Sequence, residues 1–119
     1  MLMNKVLEFM FVSTFGLLQK KVHATNVERG FWSPPASTED GTKLALIHAE
    51  VSEALEAIRD GNLPDKHVPT MESVVVELAD VVIRVMDLCQ YHEWPLAEAI
   101  LAKAKINLGR PWRHGGKKF

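Results

Sequence analysis

This sequence has a single cysteine and almost no net charge. The single cysteine, Cys89, excludes a disulfide within the chain, and its apolar neighbours Val85, Met86 and Leu88 indicate core packing in a reducing, cytoplasmic setting. The 14 Lys and Arg residues nearly balance the 15 Asp and Glu residues. A nearly neutral chain has no overall electrostatic attraction to nucleic acid polymers or to membrane surfaces, so we expect neither as a partner.

A long apolar run is also missing. Residues 1–18 are rich in Leu, Phe, Met and Val, but Glu8 interrupts them, and the uninterrupted part is far shorter than the roughly 18 residues of a membrane span. No small-residue cleavage pattern of a signal peptide follows. We therefore expect residues 1–28 to form a first helix, amphipathic to buried, whose apolar excess serves as a contact between subunits. The residues in excess are Leu2, Val6, Phe9 and Phe11.

Glycine and proline are few, and their positions predict where the helices end. The breaks fall at Gly30 with Pro34 and Pro35, at Gly61 with Pro64 and Pro69, at Pro95, and at Gly109 with Pro111. Between them we expect a second helix that starts from a cap at Ser37 or Thr38 and runs to about Asp60. A third helix is expected from a cap at Thr70.

The fourth predicted helix begins near Pro95, which suits a first turn, and ends near Asn107. A basic tail then occupies residues 109–119. The sequence contains no internal repeat and no second-domain boundary, so residues 1–119 form one domain, an all-α bundle of four to five helices. A domain of this size gains from oligomerisation, which covers apolar surface that a small core leaves exposed.

Two acidic pairs stand out against the apolar background, Glu50-x-x-Glu53 and Glu77-x-x-Asp80. Residues three apart share a helix face, so each pair presents two carboxylates together. Polar residues of the segment 73–91 fall in one narrow stripe, and apolar residues cover nearly all the rest, which is typical of a central helix. The polar stripe consists of Ser73, Glu77, Asp80, Arg84, Asp87 and Tyr91.

Buried carboxylates without partners are costly, and a divalent cation removes that cost by taking their oxygens as ligands. The alternative is an ordinary solvent face, because the charges of the polar stripe also have the spacing of surface ion pairs. Since two acidic pairs occur on neighbouring predicted helices, each framed by aliphatic residues, we favour a metal site.

The ordered set of motifs resembles the MazG-like all-α nucleoside triphosphate pyrophosphohydrolases. The two acidic pairs are followed by Lys103-x-x-x-Asn107-x-x-Arg110. The segments Gly30-Phe31-Trp32, Leu44 to Glu50 and Arg110 to Phe119 are similar to the short, single-domain MazG-like proteins of phages and bacteria. The likeness covers nearly the whole chain from about Val22, and the first helix matches loosely.

This resemblance implies a magnesium-dependent hydrolysis of a nucleoside triphosphate, NTP or dNTP, to the monophosphate and pyrophosphate, with Mn²⁺ as a substitute metal. It implies a homodimer or homotetramer. Carried over to this sequence, Glu50, Glu53, Glu77 and Asp80 become metal ligands. Glu50 and Glu53 are also the catalytic candidates, and Glu53 is expected to orient or deprotonate the attacking water.

The resemblance also assigns phosphate contacts to Lys103, Asn107 and Arg110. The ammonium of Lys103 and the guanidinium of Arg110 are cations that suit phosphate oxygens. The alternative is that Lys103 and Arg110 complement the negative end of the fourth helix.

A base-binding group is predicted from His23, Asn26 and Trp32. His23 and Asn26 share a helical face near the loop that carries Phe31 and Trp32, and together they offer hydrogen bonds and an aromatic surface. The alternative is that the two aromatic residues pack the loop onto the bundle.

Other classes of protein fit less well or remain as rivals. No histidine stands three residues after a glutamate, which argues against a ferritin-like di-iron centre, and His92-Glu93 does not continue into a zinc protease motif. A phosphoribosyl-ATP pyrophosphatase shares the bundle and the acidic pairs but is a more distant likeness. A helical oligomerisation or regulatory module that keeps the acids without turnover is the main non-enzymatic rival.

Overall fold

The computed structural model describes residues 4–118, and these residues form helices and loops without a strand. The helices are α1 (Lys5–Glu28), α2 (Asp40–Arg59), α3 (Ser73–Tyr91), α4 (Leu96–Leu108) and the short α5 (Arg113–Gly116). The prediction of an all-α bundle is confirmed for this part of the chain. Leu2, expected in the apolar excess, and Phe119, at the end of the basic tail, lie outside the described residues.

Helix α1 has clear local signals at both ends. The side chain of Asn4 accepts a hydrogen bond from the backbone N–H of Leu7 at 2.9 Å, which satisfies one of the free donors of the first turn. After Glu28 the chain leaves the helix, and Gly30 has a φ of 83°, a backbone conformation that glycine adopts without the strain of a Cβ atom. The helix therefore ends where the sequence predicts.

Helices α2 and α3 begin later than the predicted caps. The N-cap of α2 is Glu39 rather than Ser37 or Thr38, and Ser37 instead accepts the Glu39 N–H at 3.2 Å. The N-cap of α3 is Glu72 rather than Thr70.

The first turn of α3 is capped from a distance, by Asn62 in the preceding loop. The Asn62 side chain accepts the Val74 N–H at 2.9 Å and donates to Glu72 at 2.8 Å. A prediction of helix caps from adjacent residues alone misses this arrangement. The loop folds back and brings Asn62 to the backbone of Val74, twelve residues later in the sequence.

Helix α3 lies between α1 and α2, and α4 packs against α1. The helices α1 and α3 run antiparallel, because Gln19 contacts Gln90 whereas His23, further along α1, contacts the earlier residue Asp87. The polar stripe of α3 therefore faces its neighbours along much of its length, with Asp87 buried. Among the described residues, no helix has the length and apolar character needed to cross a bilayer.

Much apolar surface stays exposed in the single chain. The large apolar aliphatic side chains that remain about half exposed or more on α2 and α3 are Leu44, Val51, Leu55, Ile58, Val75, Leu78 and Val82. On α1, Val6 and Phe9 are exposed as expected, whereas Phe11 is half-buried against Phe15. The apolar excess is therefore not confined to the first helix. Within residues 4–118, α1 and α2 are the helices that pack on α3, and they leave part of its apolar surface exposed.

Candidate metal centre

Three carboxylates meet where α2 and α3 pack together. Glu50, Glu53 and Glu77 each offer an oxygen, and these oxygens lie within 4.8 Å of one another. Glu50 is buried, Glu77 is half-buried and Glu53 is exposed. We call this group the acidic triad. Its side chains come from two helices, and carboxylate oxygens at this separation are ligands that a hard divalent cation accepts.

Asp80, the fourth predicted ligand, lies beside the acidic triad rather than within the same close group. It lines a cavity that Glu50 also lines. Burial raises the pKa of the Asp80 carboxyl, the negative charge of Glu50 raises it further, and Arg84 opposes the change. Asp80 therefore experiences the charges of the site, although the closest grouping has three carboxylates and not four.

The acidic triad holds its charges at unfavourably short range. A hydrogen bond with Glu50 and repulsion by its charge raise the pKa of Glu53 from 4.5 to about 7, with smaller contributions from burial and from Glu77. A carboxyl group so placed takes up a proton near neutral pH when no cation is present. A divalent cation would compete with that proton for the same oxygens.

Arg84 of the polar stripe pairs across the helices and not along its own. Its Nε donates a hydrogen bond to Oε1 of Glu50 at 2.6 Å. The surface-pair alternative predicts contacts with residues one turn away on α3, such as Asp80 or Asp87, and the hydrogen bond that Arg84 makes goes instead to α2. Arg84 is thus part of the candidate site.

A cavity of about 540 Å³ adjoins the acidic triad. The end of α1, the loop after it, α2 and α3 all contribute to its wall. The residues that give the cavity its chemistry are Asn26, Phe31, Lys43, Leu46, Glu50, Asp80, Arg84 and Asp87. Acidic groups thus share the wall with two cations, an amide and apolar side chains.

Two of the three predicted base-binding residues contact Asp87. His23 Nδ1 lies 2.7 Å from Asp87 Oδ1, and the indole N–H of Trp32 donates to Oδ1 at 2.9 Å and to Oδ2 at 3.1 Å. Asn26, the third predicted residue, lines the cavity. The structure therefore places His23 and Trp32 against the buried Asp87, which lines the cavity together with Asn26.

Trp32 is covered on both faces of its ring. The Tyr91 ring stacks on the indole with centroids 4.1 Å apart, and Lys43 Nζ lies 4.1 Å from the indole centroid. A stacked ring and an ammonium group at these distances cannot share one face of the indole, so they lie on opposite faces. The neighbouring Phe31 lines the cavity and is about half exposed, so its ring is the aromatic surface available inside the cavity.

The predicted phosphate-contacting residues lie at the other end of the molecule. Lys103 and Asn107 are exposed on α4, which packs against α1, and Arg110 follows α4. Lys105 of the same helix pairs with Glu8 near the start of α1 at 2.8 Å, whereas the cavity is lined by Asn26 near the end of α1. At 1.5 Å per residue, these two points on α1 are about 27 Å apart.

Lys43, Arg84 and Asp87 were not singled out as site residues from the sequence, although Arg84 and Asp87 belong to the polar stripe. Lys43 stands seven positions before Glu50, which places both on the same face of α2, and that spacing is the signal that could have identified it. Asp87 was recognised only as a member of the polar stripe. Its role as the acceptor for His23 and Trp32 depends on how α1 and the loop pack on α3, which no local spacing reveals.

Comparison of the chain with protein-family models, with curated proteins and with solved structures found no match. The likeness to the MazG-like pyrophosphohydrolases therefore rests on the motifs of the sequence, and the activity that it implies stays a prediction.

Proposed function

We propose that this protein is a magnesium-dependent nucleoside triphosphate pyrophosphohydrolase that converts an NTP or dNTP to the monophosphate and pyrophosphate. The observation that carries the proposal is the acidic triad at the edge of a cavity of about 540 Å³. That volume falls in the range of roughly 300–1,000 Å³ common to small-molecule sites. A metal-binding group beside a cavity of nucleotide size favours metal-assisted chemistry on a phosphorylated substrate.

The donor set of the site supports magnesium. All three members of the triad are carboxylates, and neither a histidine nor a cysteine belongs to the group. Hard divalent cations such as Mg²⁺ and Mn²⁺ prefer oxygen ligands, whereas zinc and copper favour nitrogen and sulfur. The bound ion would supply positive charge that neutralises the phosphate oxygens during cleavage.

Metal binding, activation of water and contact with the nucleobase are assigned to different residues of the chain. Glu50 and Glu77, the less exposed members of the triad, hold the metal, with Asp80 beside them. Glu53 is the exposed member, so its carboxylate is accessible to solvent and orients the attacking water or accepts its proton. Asn26 and Phe31 line the cavity and provide an amide and an apolar ring for the nucleobase.

A screen for pyrophosphate release from canonical and modified NTPs and dNTPs, in Mg²⁺ and in EDTA, tests the proposal. We expect Mg²⁺-dependent release of pyrophosphate from at least one nucleotide, and loss of that activity in Glu50→Ala and Glu77→Ala. Absence of turnover with every nucleotide would refute the enzymatic function and would favour a non-catalytic helical module. Selective turnover of phosphoribosyl-ATP would point to the related pyrophosphatase class.

We also propose that the protein is a homodimer or homotetramer. The apolar side chains exposed on α2 and α3 occupy neighbouring helices, and a second copy of the same surface can cover them. If Lys103, Asn107 and Arg110 contact phosphate, the length of α1 requires that a second copy supplies them, because in one chain they lie far from the triad.

A further inference from the structure

The negative charge of the cavity wall opposes the entry of a polyphosphate chain. Glu50, Asp80 and Asp87 line its wall, and Glu53 and Glu77 adjoin it. Five carboxylates in and beside one cavity repel a triphosphate, and one divalent cation offsets only two negative charges. A cavity that takes a nucleotide therefore needs further positive charge within reach of the phosphates.

Two cations lie in the wall of this cavity. Among the described residues of its wall, the positive charges belong to Lys43 on α2 and Arg84 on α3. Their proximity is evident in the pKa of the Lys43 ammonium, which burial lowers, the negative charge of Asp87 raises and the positive charge of Arg84 lowers. The two side chains therefore experience the same local field.

Arg84 keeps donors available for an anion. It uses Nε for Glu50, and among the described residues no acceptor is bonded to Nη1 or Nη2. Its side chain is 40% exposed, so the outer edge of the guanidinium can be reached from the cavity. A planar guanidinium with two parallel N–H groups matches two oxygens of one phosphate.

Lys43 is held in position, and its ammonium group still has hydrogen-bond donors for a ligand. Its ammonium donates one hydrogen bond to the Phe31 carbonyl at 2.8 Å and lies over the Trp32 ring. An ammonium has three N–H donors, so two remain for a ligand. The contacts with the loop and the indole keep the long side chain at the cavity wall, which reduces the entropy cost of binding an anion.

We propose that Lys43 and Arg84 form the phosphate-binding pair of this cavity and hold the polyphosphate chain of a nucleotide against the acidic triad. The inference rests on the proposed function and adds residues to it, because the α4 residues assigned to phosphate by resemblance lie at the far end of α1. Arg84 has a double role, since the same guanidinium orients Glu50 through Nε and binds phosphate through its terminal nitrogens.

Calorimetric titration with inorganic tripolyphosphate in Mg²⁺ tests the pair directly. The variant Lys43→Met removes the charge at nearly the same side-chain length, and Arg84→Gln removes the charge and the terminal nitrogens while keeping a polar group near the position of Nε. Loss of one charge-assisted hydrogen bond predicts at least a tenfold rise in Kd for each variant. The matched controls Lys21→Met and Arg59→Gln, exposed residues that do not line the cavity, should bind within about twofold of wild type.

Conservative variants separate binding from folding. Lys43→Arg and Arg84→Lys keep the charge and should bind tripolyphosphate more tightly than Lys43→Met and Arg84→Gln, while thermal unfolding monitors the fold of all four variants. The proposal is overturned if wild type does not bind tripolyphosphate, or if folded Lys43→Met and Arg84→Gln both bind it within about twofold of wild type.

A separate measurement, pyrophosphate release by the wild-type protein, tests the proposed enzymatic function. Tripolyphosphate binding that depends on Lys43 and Arg84, without turnover of any nucleotide, would support the pair and refute the enzyme. Turnover with unchanged tripolyphosphate affinity in both variants would support the enzyme and refute the pair.

Discussion

Arg84 on α3 donates its Nε hydrogen to Oε1 of Glu50 on α2 at 2.6 Å, so the most buried carboxylate of the acidic triad is already bound to a cation. The contact joins the two helices that build the candidate metal centre. It also sets a competition, because a metal ion that binds the same oxygen must approach a guanidinium of like charge.

The affinity of the acidic triad for Mg²⁺ should therefore depend on Arg84. We expect Mg²⁺ at millimolar concentration to raise the unfolding temperature of the wild type and to have no such effect on Glu50→Ala or Glu77→Ala. Arg84→Gln should bind Mg²⁺ about threefold or more tightly in the absence of nucleotide, because a repelling charge is gone. Weaker Mg²⁺ binding in this variant would instead mean that Arg84 acts mainly by positioning Glu50.

Substitution at Glu53 should separate chemistry from binding. Glu53→Gln keeps the shape of the side chain but removes the negative charge that acts on water, so turnover should fall by about a hundredfold or more. Nucleotide affinity should stay within about tenfold of wild type. Steady-state kinetics and calorimetry measure the two quantities.

A matched control for Glu53→Gln is Glu56→Gln, an exposed residue of α2 that pairs with Arg59. This variant should keep wild-type turnover. If Glu53→Gln were as active as Glu56→Gln, Glu53 would lose its catalytic assignment and the other carboxylates would remain candidates.

The stability of the metal-free protein should fall as pH rises through the titration of Glu53. Its pKa in the folded protein is about 7 against an ordinary value of 4.5, because Glu50 and Glu77 favour the protonated form. Between these values the folded state binds more protons than the unfolded state, so stability decreases with rising pH. Thermal unfolding in EDTA should show this slope, and Glu53→Gln should flatten it.

Magnesium should oppose that loss, since it stabilises the ionised carboxylates of the triad. Unfolding curves recorded in Mg²⁺ should therefore diverge from those in EDTA as the pH approaches 7 and above. Identical pH profiles with and without Mg²⁺ would contradict metal binding at these three carboxylates.

Asp87 should be important for the order of the loop after α1. It is buried and accepts hydrogen bonds from Trp32, with His23 also in contact, so Asp87→Ala leaves the polar groups of these two half-buried side chains without their partner. We expect a loss of about 2–3 kcal/mol in the free energy of unfolding, measured by denaturant titration with Trp fluorescence. Asp40→Ala, an exposed partner of His92, should change stability by about 0.5 kcal/mol or less.

Charges placed on the exposed apolar faces should disrupt assembly. Leu55 on α2 and Leu78 on α3 are about half exposed, so Leu55→Asp and Leu78→Asp should cost the single chain little but prevent a second copy from covering the surface. Light scattering after size exclusion should show an oligomer for wild type and a smaller species for both variants. A wild-type monomer would contradict the proposed assembly.

The sequence by itself determined the elements that depend on local rules. Gly30 and Pro95 mark the end of α1 and the start of α4, and the spacing of each acidic pair places its two carboxylates on one helix face. These features follow from backbone preferences and from helical periodicity, which act over a few residues. For that reason, the all-α fold and the acidic residues of the candidate site can be predicted from the sequence.

Only the tertiary structure decided which helix faces meet. The packing of α2 on α3 brings Arg84 to Glu50, the return of the loop brings Asn62 to the first turn of α3, and the length of α1 separates Lys103 from the cavity. Each of these relationships joins residues far apart in sequence. They depend on how apolar surfaces of whole helices fit together, and helical spacing within one segment carries no information about that fit.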